Sequence, residues 1–311
     1  MALKQQLKQI LRRIFEVGQR FKVDILPRHF YSEIPSIPLL RSTTAWRRPL
    51  SMDRIAGADL PSQLAFTAAC TEGMQPSLSA TFLHQRACEM NGLKEGFGPI
   101  EADFLYCFVR SHRPPQIVQV GCGVSTAVCI LAAADEGYKP EILCIEPYPT
   151  PFLVQQAAAG VIRLVAKKVE ECDVKIGEIL KPGGLFFVDS THTLGPAGEV
   201  TQLICETLPT LPAGAWAHFH DIHFPYDYSP EILTSELFFS HETALLYAFL
   251  LMNSAYSIAV SLSMLHHSSP AELARLLPRY RPAQFDQGLR LTNGHHPSSI
   301  YLRVGESSLH A

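Results

Sequence analysis

The chain has 311 residues, of which 47% are hydrophobic and 18% charged, and its formal net charge is −3 at pH 7. That is enough apolar material to bury a full core as one large domain, or as one domain with a smaller accessory part. The near-neutral balance excludes a dedicated nucleic-acid binder, and the lack of any apolar run of about 18 residues excludes a transmembrane helix.

Charge is unevenly spread. Residues 1–50 carry ten Lys and Arg against Glu16, Asp24 and Glu33, so the rest of the chain is acidic overall. The eight cysteines form no C-x-x-C pair, and several sit inside apolar runs such as "EILCIEP", where Cys behaves as a small hydrophobe. With no signal peptide of the positive–apolar–small kind, the reading is a reduced, cytoplasmic protein with no structural zinc on its cysteines.

Residues 3–21 place Leu3, Leu7, Ile10, Leu11, Ile14 and Phe21 at helical spacing, with bases on the opposite face. Such a helix can lie on a membrane surface or serve as a transit peptide, although the serines of a transit peptide are missing. We read it as a helix packed on its own body or on a partner subunit, which makes a homodimer a candidate. Residues 26–62 are rich in proline and lack clean periodicity, and so read as an extended arm.

From Pro115 the pattern changes. Apolar runs "QIVQV" (116–120), "EILCIE" (141–146), "VIRLVA" (161–166), "GLFFVD" (184–189) and "AWAHFHDI" (215–222) alternate with helical stretches, including ones near 170–180 and 197–208. A helical "SHETALLYAFLLMN", "YSIAVSL" (256–262), a long insertion and a last strand "SSIYLRV" (298–304) follow. Strands alternating with helices predict an α/β fold with a doubly wound, mostly parallel sheet of seven strands. Its final two strands are joined without an evident crossover helix. The division expected is 1–110 for the N-terminal helix, arm and helical cap, and 111–311 for the Rossmann-like catalytic domain.

"VQVGCGVST" (118–126) sits where a parallel strand turns into a helix. There Gly121 and Gly123 let backbone approach a ligand, beside Ser125 and Thr126 at the helix start. Glu146 ends the next strand, where an acid accepts hydrogen bonds from ribose hydroxyls. The dinucleotide fingerprint needs glycine at position 126, and this chain has Thr126. A shorter adenosine ligand such as S-adenosylmethionine (SAM) fits better.

With "HFYSEIP" (29–35), "NGLKEGFGPIEAD" (91–103), "IEPYP" (145–149), "VDSTH" (188–192) and "AHFHDIHFPYDYSPE" (217–231), the chain resembles a class I SAM-dependent methyltransferase of a bacterial small-molecule group. The resemblance implies a Rossmann-like seven-stranded sheet with an antiparallel last strand, and an N-terminal helical and extended lid region. It also implies SAM across the carboxyl ends of strands one and two. One departure concerns Gln119. The family usually has an acid there to hold the cofactor's ammonium, and glutamine supplies no charge to keep that amine protonated. This is either drift or a sign that the amine must be free to react.

In an open α/β sheet, ligands bind outside the carboxyl ends of the strands. Asp189 and His192 leave strand four there, and His220 and Asp221 leave strand five. By resemblance to metal-dependent O-methyltransferases, Asp189, His220 and Asp221 match the positions that hold a divalent cation (Mg, Mn, Fe or Zn). His192 matches the general base of related sugar methyltransferases, with a pKa near roughly 6.5. His218 reads as a packed core histidine, His223 and Asp227 as parts of a lid, and the pairs His266–His267 and His295–His296 as solvated loop residues. "FPYDYSPE" (224–231) reads as a lid whose Tyr226 and Tyr228 face the sulfonium. Tyr31, Glu101 and Asp103 are candidates to close the pocket from the other side.

These readings lead to methyl transfer from SAM to a small acceptor, through a hydroxyl, in secondary-metabolite biosynthesis. Two alternatives stay open. One is cyclisation of SAM to azetidine-2-carboxylate with release of methylthioadenosine; the other is a non-catalytic SAM-binding partner subunit.

Overall fold

A computed structural model of the chain describes residues 2–32, 34–80, 82–229, 237–283, 285–286, 290–291 and 293–305. Pro230 and Glu231, the end of the expected lid, and Glu33 lie outside the described residues. The chain parts into two compact units, Met1–Ser42 and Thr43–Ala311, and not at residue 110. The helices between residues 60 and 112 belong to the second unit because they share a core with the sheet. Phe104, Leu105 and Phe108 are packed in one apolar cluster with Ile117 and Leu185.

In the first unit, α1 (Ala2–Arg20) carries the expected apolar stripe, whose Leu7, Ile10 and Ile14 are exposed. The expected extended arm is corrected in part: it contains α2 (Ile37–Ser42) and a 3-10 turn, Ala45–Arg47. Before its end the next helix begins, α3 (Leu60–Thr71), where Asp59 accepts a hydrogen bond from Ser62 N and Pro61 sits in the first turn.

The second unit continues with α4 (Gln75–Ala80), α5 (Leu83–Met90) and α6 (Pro99–His112), and then enters the sheet. Its core strands are β1 (Gln116–Val120), β2 (Glu141–Ile145), β3 (Arg163–Val165), β4 (Leu185–Val188), β5 (Trp216–Phe219) and β6 (Tyr256–Ser261). A two-residue ladder, β7 (Phe285–Asp286) with β8 (Arg290–Leu291), stands apart from the last core strand, β9 (Ile300–Val304). The order is β3-β2-β1-β4-β5-β9-β6, parallel from β3 to β5, with β9 antiparallel to both its neighbours. This is the seven-stranded Rossmann-like sheet with a reversed last strand. β1 is buried throughout, as a strand covered on both faces must be. Alternate side chains enter opposite cores: Ile117 joins the cluster with Phe104, while Val118 and Val120 join that of Leu203 and Leu246.

The crossovers are α7 (Val124–Asp135), α8 (Pro151–Ala158), α9 (Ile176–Ile179), α10 (Glu199–Thr201, continuing as a π turn) and α11 (Glu242–Leu250). The helix expected near 170–180 is reduced to a 3-10 turn at Val169–Glu171 and the single turn of α9. Between β6 and β9 the chain is not without helix: α12 (Leu262–Ser268) and α13 (Pro270–Leu276) fill that connection.

Candidate functional site

The turn from β1 to α7 is shaped by contacts that exclude side chains. Gly121 has φ +81, and a Cβ there would overlap the carbonyl oxygen of Asp189. At Gly123 a Cβ would meet Asn91 Nδ2 at 2.9 Å. Asn91 is itself anchored, since its Oδ1 accepts a 2.8 Å hydrogen bond from Thr150, the residue capping α8. Glu146, beyond β2, accepts from Cys122 N at 3.1 Å and Tyr148 N at 2.9 Å. Each carboxylate oxygen has two lone pairs, so Glu146 keeps acceptor capacity for hydroxyl donors. Thr126 Oγ1 accepts from Gly123 N at 3.2 Å. Gln119, fully buried, donates from Nε2 to Ser125 Oγ at 3.3 Å; its Oε1 is buried with no hydrogen-bond partner among the described residues. An orphaned carbonyl beside two glycines fits a ligand that brings a donor, such as an amine.

Across the sheet, the ends of β4 and β5 bring Asp189, His192, His220 and Asp221 together. His220 Nδ1 lies 3.3 Å from Asp189 Oδ1 and 3.4 Å from Asp221 Oδ1. His192 Nε2 stands 3.6 Å from Asp189 Oδ1 and 3.6 Å from Asp221 Oδ2. His192 and Asp221 both have positive φ (57° and 55°), a conformation that costs a non-glycine residue energy and that surrounding contacts must hold. Two of those contacts are Ser240 Oγ, which donates to the His192 carbonyl at 2.8 Å, and Ser298 Oγ, which donates to Asp221 Oδ1 at 2.9 Å.

Two further acids complete the group. Glu242, fully buried at the start of α11, places Oε2 2.6 Å from His192 Nδ1. Glu101, on α6, accepts from Ser298 N at 2.9 Å and lies 3.9 Å from His220 Nε2. Four carboxyl groups therefore surround two imidazoles, an excess that suits a cationic ligand. Asp221 keeps 42% of its side-chain surface exposed, so the group opens to solvent on that side.

The charges tune one another. Burial works to raise Asp189, but the nearby positive charges of His220 and His192 bring it down to about 2. Burial also works against protonated His192, yet Asp189, Glu242 and Asp221 outweigh it and raise the ring to about 10. His220 is likewise held well above the usual histidine value, against its burial, by Asp221 and Asp189. This corrects the expectation of an imidazole poised near neutrality: in the resting protein both rings hold their protons. Burial raises Glu101 and Glu242.

For a metal, the ligand atoms of Asp189, His192 and His220 all lie within 4.8 Å of one another. The sequence-derived set was Asp189, His220 and Asp221; His192 also comes within reach of such a ligand group, and Asp221 lies beside it, 3.4 Å from His220 Nδ1. Among the described residues neither ring nitrogen of His220 has a partner in hydrogen-bond geometry, which fits a ligand position. A metal on this group would occupy His192 Nε2, the atom that a general base needs, so the two uses exclude each other.

The other expected residues divide. His218 is the packed core histidine anticipated: it stacks on Phe187 at 4.0 Å and bonds Ser299 Oγ at 2.9 Å. Asp103, two residues past Glu101, falls on another face of α6. It is fully buried 3.7 Å from Arg279 Nε and takes no part in the site. Tyr226 packs edge-on against His267 at 4.7 Å and Tyr228 against His241 at 6.5 Å. His223, read as part of a lid, is half-buried: its ring stacks on His296 at 5.7 Å, and burial lowers it to about 4. Nor are His266, His267 and His296 solvated; burial depresses all three. Tyr31 belongs to the first unit, where it is exposed with its ring edge-on to Phe30. Glu242 and Ser298 were missed altogether. The one available signal was an acid opening an otherwise apolar helix in "SHETALLYAF".

Residues 118–222 match the family described as a methyltransferase domain. That segment runs from within β1 to the residue after Asp221, and so spans the glycine turn and, of the acid–imidazole group, Asp189, His192, His220 and Asp221 but not Glu101 or Glu242. Among curated proteins, an uncharacterized protein of Archaeoglobus fulgidus is 27% identical over 179 residues, covering 53% of this chain and 76% of that one. Among solved structures, the SAH-bound Podospora anserina methyltransferase PaMTH1 is 14% identical, covers 73% of this chain and 89% of its own, and aligns with a TM-score of 0.38. The plantazolicin methyltransferase BpumL in complex with SAH is 11% identical over 79% of this chain and 96% of its own, with a TM-score of 0.39. Scores this low leave the activities of those proteins with them. No helix among the described residues is long and apolar enough to cross a membrane.

Proposed function

We propose that the chain binds SAM at the Gly121–Gly123 turn and transfers its methyl group to a hydroxyl of a small acceptor. One observation carries this reading. The ligand-ready turn and the anionic group meet at the carboxyl ends of adjacent strands, joined where Asp189 O closes over Gly121. In this assignment Glu146 receives the ribose hydroxyls, and the orphaned Gln119 Oε1 receives the amine. Asp189 and Asp221 then face the sulfonium.

Methyl transfer is an in-line displacement. The acceptor oxygen forms its bond to the methyl carbon as the carbon–sulfur bond breaks, and the hydroxyl proton must leave. In this reading His192 takes it, with Glu242 fixing its ring through Nδ1 so that Nε2 lies toward the acids. A cation drawn into the group competes with the imidazolium and lowers its pKa, which frees the ring to act as base. If a divalent metal is used instead, Asp189, His192 and His220 would hold it, and it would lower the pKa of the acceptor hydroxyl.

A second reading rests on the same glutamine. A neutral Gln119 leaves SAM's amine uncharged more readily than an acid would. The amine nitrogen could then form a bond to the γ-carbon as the carbon–sulfur bond breaks, giving azetidine-2-carboxylate and methylthioadenosine. Incubating the full chain with SAM alone, and then with a panel of small hydroxylated acceptors, separates the two. Methyl transfer predicts S-adenosylhomocysteine only when an acceptor is present; cyclisation predicts methylthioadenosine without one. Absence of SAM binding by calorimetry ends both.

A further inference from the structure

Beside the site just described lies a second group of imidazoles, one that the proposed methyl transfer does not call on. His266 and His267 end α12, which follows β6 directly, and His296 stands in the segment leading into β9. Ligand nitrogens of the three all lie within 4.8 Å of one another. His267 Nε2 and His296 Nε2 are 3.4 Å apart. Two nitrogens bound to one tetrahedral zinc at about 2.0–2.1 Å stand about 3.3–3.4 Å from each other, so this pair already spans one edge of such a site. The rings meet edge to face, with centroids 4.9 Å (His266–His267), 4.7 Å (His266–His296) and 5.3 Å (His267–His296) apart.

We propose that His266, His267 and His296 form a second binding site, for a zinc-type divalent cation, that shares no ligand with the Asp189 group. A supporting shell is present. Tyr280, fully buried, places its hydroxyl 2.6 Å from His266 Nδ1. If that nitrogen donates to the hydroxyl, the ring is fixed in the tautomer whose Nε2 is a ligand, the usual device behind metal-bound histidines. Tyr226 and His223 wall the group, edge-on to His267 and stacked on His296. Burial holds His266 at about 4 and His267 at about 3, so these rings are in the neutral form that a metal requires. Imidazole ligands select zinc, copper, nickel or iron over magnesium or calcium. Three of them leave a fourth position for water or a ligand group. Bound there, the ion would tie the end of α12 to the segment entering β9, two parts of the chain far apart in sequence, and so stabilise the folded state.

The test uses the full chain, stripped with a chelator and titrated with zinc(II) alone, without SAM, by calorimetry and thermal unfolding. The wild type should take up zinc and unfold at higher temperature in its presence. His267→Ala should lose one equivalent of that zinc, and His220→Gln, in the Asp189 group, should keep it. Tyr280→Phe should weaken the same equivalent by roughly 10–100-fold. If His267→Ala does not fold, His296→Gln is read in its place. Failure of the wild type to bind zinc overturns the proposal, as does zinc retained in full by His267→Ala. Neither result bears on SAM binding at Gly121, which is measured separately.

Discussion

Gly121 lies so close beneath the carbonyl oxygen of Asp189 that a single methyl group on its α-carbon would overlap that oxygen. The cofactor turn and the first acid of the reactive group are thus one packing unit. Gly121→Ala must displace β4's end, and it also forces alanine to φ +81. A cost of about 1–3 kcal/mol is expected from the backbone strain alone, with loss of SAM binding. Gly195→Ala, where a Cβ meets nothing within 4 Å, should be close to neutral and serves as control. Urea unfolding and SAM calorimetry on both variants check this; equal behaviour would separate the turn from the site.

Glu242 acts on substrate only through His192. Its carboxylate helps raise the imidazole to about 10, so Glu242→Gln, which removes the charge and keeps the shape, should lower that value. A rate that needs the neutral ring then reaches its plateau at lower pH. His192→Ala should cost about 10²–10⁴ in kcat, and Glu242→Gln should cost less while moving the acidic limb of the pH–rate profile downward. A profile that does not move would leave Glu242 a packing residue.

Asp103 sets a different pH dependence, one of stability. Burial raises its carboxyl to about 7, and Arg279 offsets this only in part. Between pH about 4 and about 7 the folded protein holds a proton that the unfolded chain has released. This group's contribution is therefore complete at low pH and is lost as pH rises through 7. Asp103→Asn, neutral throughout, should gain on the wild type as pH increases, with a ceiling of about 4 kcal/mol for a gap of about three units. Denaturant unfolding of both proteins at about pH 5 and about pH 8 measures the gain; the same difference at both values would refute it.

Gln119→Glu probes which bond to carbon is made. The new carboxylate would sit where Oε1 now lacks a partner and would hold the amine of SAM as an ammonium. Methyl transfer should lose little, less than about tenfold in kcat/KM, a difference near 1.4 kcal/mol. Cyclisation should slow severely, since an ammonium has no electron pair to attack with. Methylthioadenosine released by the variant at the wild-type rate would remove the amine as nucleophile.

What could be read directly from the chain were the local features. Gln116–Val120 as a strand, the glycine turn after it and the acid after β2 each depend on a few consecutive residues, and the spacing of apolar runs carried the alternation of strand and helix. The topology rule then put Asp189, His192, His220 and Asp221 at one edge, where the structure has them within ion-pair distance. Exposure patterns in loops were another matter. His266, His267 and His296 sit in stretches that read as polar loops, yet in space His266 is buried and the other two are half-buried, because α12 and the entry to β9 fold over each other. Asp103 and Glu101 are two apart in one helix and face different partners, since successive helical positions turn by about 100° each.

The partners of the reactive group come from far away in the chain. Glu242 is 50 residues from His192, and Ser298 is 77 from Asp221 and 197 from Glu101. No periodicity or motif encodes such pairings, because they exist only once the sheet has placed α6, α11 and β9 around the ends of β4 and β5. Ionisation follows the same rule: an isolated histidine titrates near roughly 6.5, and only the acids gathered around His192 lift it to about 10. Covalent neighbours gave this protein its strands, turns and candidate ligand edge, whereas proton affinities and the contacts that hold the reactive side chains arose from through-space packing.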